Sequence, residues 1–121
     1  VSRYYDRKGK PLTLDEFINL FGKDRVSERK YKILKQETLK TGYWVSTVWL
    51  GLDHSFERGP PLIFETMVFE SKDHSSDLDC ARYATEEEAF AGHAEMVKRW
   101  NDPVKDAKRR LAGEEHSEDE S

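Results

Sequence analysis

Two stretches of this chain, Tyr43 to Leu52 (Tyr-Trp-Val-Ser-Thr-Val-Trp-Leu-Gly-Leu) and Leu62 to Phe69 (Leu-Ile-Phe-Glu-Thr-Met-Val-Phe), are rich in β-branched and aromatic residues at both odd and even positions. Successive side chains of a strand point to opposite faces, so a strand apolar at both parities belongs in the middle of a sheet. The intervening segment, Asp53 to Pro61, closes on Gly59-Pro60-Pro61, which blocks regular structure and returns the chain on an extended path. The two stretches therefore read as neighbouring antiparallel strands.

What flanks them sets the fold class. Arg3 to Pro11 reads as a short strand running into an Asp6…Gly9 turn. Thr13 and Glu16 have capping-box spacing, and Leu14, Phe17, Ile18 and Phe21 form a helical stripe that predicts a helix over 14–21 with Gly22 as its stop. Residues 29–40 alternate imperfectly and carry charge, as an edge strand does, and Thr41-Gly42 turns them into a hairpin with 43–52. Residues 70–84 read as polar and irregular.

A second helix is predicted over 85–100, with Thr85 as cap, Glu86 to Glu88 in the first turn and a stripe of Ala89, Phe90, His93, Met96, Val97 and Trp100. Asp102-Pro103 opens a short basic helix, 104–112, with Gly113 as its stop. The order β-α-β-β-β-α-(α) predicts an α+β fold: a small antiparallel sheet of three to four strands with two helices packed on one face. One domain over 1–101, a basic helical segment over 102–113 and a disordered acidic tail over 114–121 complete the expected organisation.

Charge narrows the partners. Residues 1–40 hold eleven Lys/Arg against six Asp/Glu, residues 41–97 three against eleven, residues 98–113 six against two, and the tail five acids and no base. The body without its tail is thus near neutral, which argues against a nucleic-acid partner even though Tyr4, Tyr5, Tyr31 and Tyr43 interleave with basic residues. The single cysteine, Cys80, excludes an internal disulfide and fits a cytoplasmic chain. No apolar run is long enough to suggest a membrane span, and no motif points to a cofactor.

The residues that could carry chemistry gather around the central loop. Asp53, His54 and Arg58 precede Glu65, so His54 could act as acid or base beside Asp53 or Glu65, with Arg58 holding an anion. The competing reading is a plain polar loop, with Glu65 paired to a cation across the sheet. Asp73, His74, Asp77 and Asp79 are oxygen-rich but lack the spacing of a calcium loop. His93 reads as a boundary histidine hydrogen-bonded to the sheet, and Ser46 and Cys80 as structural.

The segments Val45-Ser46-Thr47-Val48-Trp49-Leu50-Gly51-Leu52-Asp53-His54-Ser55-Phe56 and Gly59-Pro60-Pro61-Leu62-Ile63-Phe64-Glu65-Thr66-Met67-Val68-Phe69 resemble a family of small uncharacterised proteins encoded by tailed phages and prophages, notably those of actinobacteria. The resemblance extends to Arg3-Tyr4-Tyr5-Asp6 and to Arg82-Tyr83 with Thr85-Glu86 and Ala91-Gly92-His93. It implies an origin and brings no reaction, cofactor or catalytic residue with it. Glu57-Arg58 stands where a glycine-containing loop is expected.

These readings converge on a non-catalytic accessory protein that binds a host or phage protein, with the small enzyme or anion-binding protein at the Asp53–Arg58 loop and a nucleic-acid binder as alternatives. Because two helices can cover only one face of a sheet, alternation predicts a helix-free face lined either by Tyr43, Val45, Thr47 and Trp49 or by Trp44, Ser46, Val48 and Leu50. That face, with Trp44, Trp49, Tyr43 and Arg58 as candidate binding residues, is expected to meet a partner or a second copy of the chain.

Overall fold

The computed structural model describes residues 3–26, 31–55 and 58–120, excluding the side chains of 23–26 and 114–120. Residues 29 and 30 of the expected edge strand, Glu57 of the central loop and the side chains of the acidic tail lie outside that description.

The chain is α+β. Four strands, β3 (Ile33–Thr38), β4 (Trp44–Trp49), β5 (Phe64–Phe69) and β6 (Asp77–Tyr83), form an antiparallel sheet in sequential order. A two-stranded ladder, β1 (Tyr4–Tyr5) with β2 (Pro11–Leu12), lies at its end and is tied to β4's continuation by the Tyr4–Leu52 bridge. Three helices follow the sheet's logic: α1 (Leu14–Val26), α2 (Glu86–Trp100) and α3 (Pro103–Glu120). The doubly apolar stretches are indeed the central pair, matched Trp44 to Phe69 and Trp49 to Phe64 without a shift.

The Thr13–Glu16 capping box forms in both directions, and Thr85 caps α2 through one half of its box. Thr13 Oγ1 accepts from Glu16 N–H while Glu16 Oε1 accepts from Thr13 N–H, and Thr85 Oγ1 accepts from Glu88 N–H. These bonds satisfy amides that a helix start leaves without intrahelical partners.

Four expectations need correction. Residues 77–83, read as irregular, form the edge strand β6. Helix α1 runs through Gly22 to Val26, since neither a left-handed turn nor a capping contact stops it there. Its stripe is also rotated: Phe17, Leu20 and Phe21 pack inward, whereas Leu14 and Ile18 are 53% and 55% exposed. Helix α3 likewise continues past Gly113.

The core lies between the sheet and α2, with α1 closing one end. One cluster joins Leu39, Tyr43, Val45 and Val68 to Met96; the other joins Trp49, Ile63 and Phe64 to Ala89, with Phe17, Phe21 and Tyr31 around them. Trp49 is the hub of the second cluster. Its ring stacks on Phe21 at 5.3 Å and meets Tyr31 edge-on at 4.9 Å, and its indole N–H donates to the Tyr5 carbonyl at 2.9 Å. Gly51, at φ +77°, lets the Phe17 and Trp49 rings close over the chain; a Cβ there would sit 2.4 Å from Phe17.

Candidate functional site

Alternation along β4 and β5, read against the cross-strand register, sorts the sheet into two faces of different chemistry. Val45, Thr47 and Trp49 pair with Val68, Thr66 and Phe64 beneath α2. Trp44, Ser46 and Val48 pair with Phe69, Met67 and Glu65 on the opposite face. Among the described residues no helix packs on that second face: α2 lies over β4 and β5 from the first side, and α1 meets β1 and β2.

The helix-covered face holds a buried polar ladder between the two apolar clusters. His93, only 1% exposed, donates from Nε2 to Glu37 Oε2 at 2.7 Å and meets the Thr47 hydroxyl through Nδ1 at 2.7 Å. Thr47 and Thr66 share a 2.6 Å bond. The ladder crosses three strands, from Glu37 on β3 through Thr47 on β4 to Thr66 on β5, with His93 of α2 as its link. Buried polar atoms are costly unless partnered, and here each partner is supplied by a different element, so the ladder fixes how α2 sits on the sheet.

Glu37 is the ladder's outer end, and its acidity reports the contact. The His93 bond holds the Glu37 carboxyl below its ordinary range, against the opposing effect of burial and with help from Lys35. A carboxylate whose pKa is lower in the folded than in the unfolded chain stabilises the fold above its unfolded value, near 4.3, and loses that contribution as pH falls through the folded value. Glu37→Gln is therefore expected to lower stability at neutral pH and to flatten the acid limb of a stability profile. Urea midpoints measured from pH 7 to pH 3 check this; two parallel profiles would contradict it. Asp79 and Asp106 are also depressed, so the acid loss should shrink rather than vanish.

The helix-free face is apolar around one neutralised pair. Trp44 and Phe69 rings lie 5.5 Å apart, Val48 and Met67 are half-buried beside them, and Leu78 of β6 is exposed. Glu65, buried to 7%, accepts from Arg82 Nε at 2.9 Å and from the Cys80 thiol at 3.6 Å. Burial first, then the Glu65 charge, pushes the Cys80 thiol up to about 11, which keeps it protonated at neutral pH. Gln36 donates to Ser46 Oγ at 2.8 Å. The face thus presents aromatic and aliphatic surface around the matched Glu65–Arg82 pair, with the exposed Asp77 opposite Phe69 at its edge.

The loop candidates are arranged differently. Asp53 Oδ1 accepts from the backbone N–H groups of Ser55 and Leu62, at 2.8 and 2.9 Å, and so braces the loop ends. His54 is held by its backbone, its N–H donating to the Leu62 carbonyl, and Arg58 is exposed. Glu65 lies within the sheet, paired to Arg82. Among the described residues no hydrogen bond joins His54 to Asp53 or Glu65. Of the candidate binding residues, Trp44 lies on the helix-free face, whereas Trp49 is core and Tyr43 is buried against Trp100 and bonded to Asp106.

In the acidic segment, Asp79 accepts from the Trp100 indole at 3.0 Å and from Arg99 at 2.8 Å, and pins α2 to β6. Among the described residues no group of acids, histidines or cysteine is spaced to hold a metal ion, and no helix is long and apolar enough to cross a membrane. Glu37, Thr47, Thr66, Met67 and Phe69 escaped the sequence reading as site residues. The one available signal was a threonine at the same level of each central strand.

Compared with known proteins, the chain matches no family model, no curated protein and no solved structure.

Proposed function

We propose that this chain is a non-catalytic accessory protein of phage origin that binds a protein of the phage or its host, and that the helix-free face of the sheet is the docking surface. The observation that supports this reading is the Trp44–Phe69 pair, extended by Val48, Met67 and Leu78 on a face that no helix of the described residues covers. Contiguous apolar surface of this kind is usually covered in a folded protein, and aromatic anchors supply much of the energy at protein interfaces. The internally matched Glu65–Arg82 pair adds no net charge, so docking over it leaves no lone charge buried.

The origin rests on the resemblance of the central strands to phage-encoded proteins. The binding role rests on the face itself. Both readings meet one test: affinity capture from lysate of infected cells, with the wild type beside Trp44→Ser, Phe69→Ser and the helix-surface control Phe90→Ser. A protein retained by the wild type and the control, and lost with both sheet-face variants, is the expected result. Equal retention by all four would overturn the assignment of the face.

A further inference from the structure

We infer that the β3 edge pairs with the β3 edge of a second copy, in antiparallel register centred on Gln36, to give a two-fold dimer with one eight-stranded sheet. This goes beyond the binding role proposed for the sheet face and does not rest on it.

Among the described residues no strand pairs with the outer edge of β3, and its hydrogen-bonding residues can be identified. Strand β3 ends the four-stranded sheet, and α2 lies over β4 and β5 with only a light contact to β3. The Leu39 N–H donates to the Tyr43 carbonyl at 2.7 Å, so Leu39, and by alternation Glu37 and Lys35, direct their backbone groups toward β4. Gln36 and Thr38 therefore direct theirs away from the sheet. Lys40, next in that outward series, has its N–H taken by Asn101 Oδ1 at 3.0 Å, which caps one end of the edge.

Charge then selects the register. An antiparallel pairing of outward groups with outward groups admits centres at residues 36, 37 or 38. A centre at Glu37 would set glutamate against glutamate, and a centre at Thr38 would set Gln36 against Lys40, whose N–H is already held by Asn101. A centre at Gln36 sets Lys35 opposite Glu37 of the second copy, twice by symmetry, and the two Gln36 backbones exchange both hydrogen bonds. Lys35 is 56% exposed and Glu37 is 34% exposed in their side chains, and among the described residues the His93 and Lys35 contacts of Glu37 both fall on Oε2. Oε1 is then directed to the second copy's lysine. Edge charges usually discourage pairing with other chains; here the pattern is complementary to its own inverse.

The test is sedimentation equilibrium of the full chain from about 10 μM to 1 mM at low salt, across the range in which small strand-edge contacts associate. Wild type should show a monomer–dimer equilibrium that weakens with added salt. Lys35→Glu should weaken the dimer about tenfold, because two attractive cross-strand pairs become repulsive. Gln36→Pro should abolish it while keeping the circular dichroism of the folded chain, because an edge strand tolerates proline where its N–H faces outward. A wild type that stays monomeric at 1 mM would overturn the inference. So would a dimer that survives both edge variants, and if Trp44→Ser removes that dimer, the sheet face is the self-association surface instead.

Discussion

Trp49→Ser should cost the protein about 4 kcal/mol or more, while Trp44→Ser should leave it folded. The two residues lie five apart on the same strand, but alternation sends them to opposite faces. Trp49 is 2% exposed and touches Phe17, Phe21 and Tyr31, so truncation removes a large aromatic side chain from the centre of one core cluster. It also deletes the bond to the Tyr5 carbonyl and places a hydroxyl among rings. A domain of this size has a total stability of about 5–15 kcal/mol, so the variant should be largely unfolded by mild denaturant. Trp44 has Phe69 as its ring partner and water on its outer side, and its loss should cost about 1 kcal/mol or less. Urea titrations of both variants check the contrast; comparable losses would mean that both faces of the sheet are core.

Gly92→Ala should destabilise the protein by a net amount of about 2 kcal/mol, against the usual helix preference. Alanine in place of an interior helical glycine ordinarily gains about 1 kcal/mol. At this position a Cβ would sit 2.1 Å from the Tyr83 ring and hydroxyl, nearer than nonbonded atoms approach. Either Tyr83 turns away and gives up its packing against the core cluster, or α2 lifts from the sheet and strains the His93 contacts. Both routes loosen the seat of α2 on the sheet. In a Tyr83→Ala background the obstacle is gone, so the same substitution should become neutral or stabilising; a double-mutant cycle with an interaction energy near zero would contradict the argument.

These two expectations also show what the sequence made legible. The central pair could be read because its apolar residues occupy both parities, and the helix starts because Thr13 and Thr85 are followed by Glu16 and Glu88. Alternation divided β4 into its two side-chain sets correctly, but which set lies under the helices depends on how α1 and α2 dock, and nothing local encodes that. The edge strand β6 was missed because Asp77-Leu78-Asp79-Cys80-Ala81-Arg82-Tyr83 is mostly polar. Asp79 and Arg82 find their partners on α2 and β5, beyond the reach of any local pattern. On α1, Leu14 and Ile18 completed a plausible stripe, yet the helix turned Leu20 toward the core cluster that contains Trp49 instead.

The ladder lies between these cases. His93 stood out as the one polar residue on an apolar stripe, and its bonding to the sheet was expected. Its carboxylate partner was not, because Glu37 is 56 residues away and looked like one more charge on an edge strand. The candidate loop was read from residue types alone. Asp53 there has a backbone task that residue type does not reveal, since a carboxylate bracing two amides is indistinguishable in sequence from one awaiting a substrate.

The central claim, that the helix-free face of the sheet meets a protein partner, is tested most directly by a photoreactive benzophenone side chain placed at Phe69 and, separately, at Phe90 on the outer surface of α2. Phe69 lies beside Trp44 on the uncovered face, whereas Phe90 is 43% exposed on the other side of the molecule. Irradiation in cells that produce the chain should join position 69 to one discrete protein, identifiable by mass spectrometry, and should leave position 90 unlinked. Crosslinks from position 90 alone, or from neither position, would contradict the account.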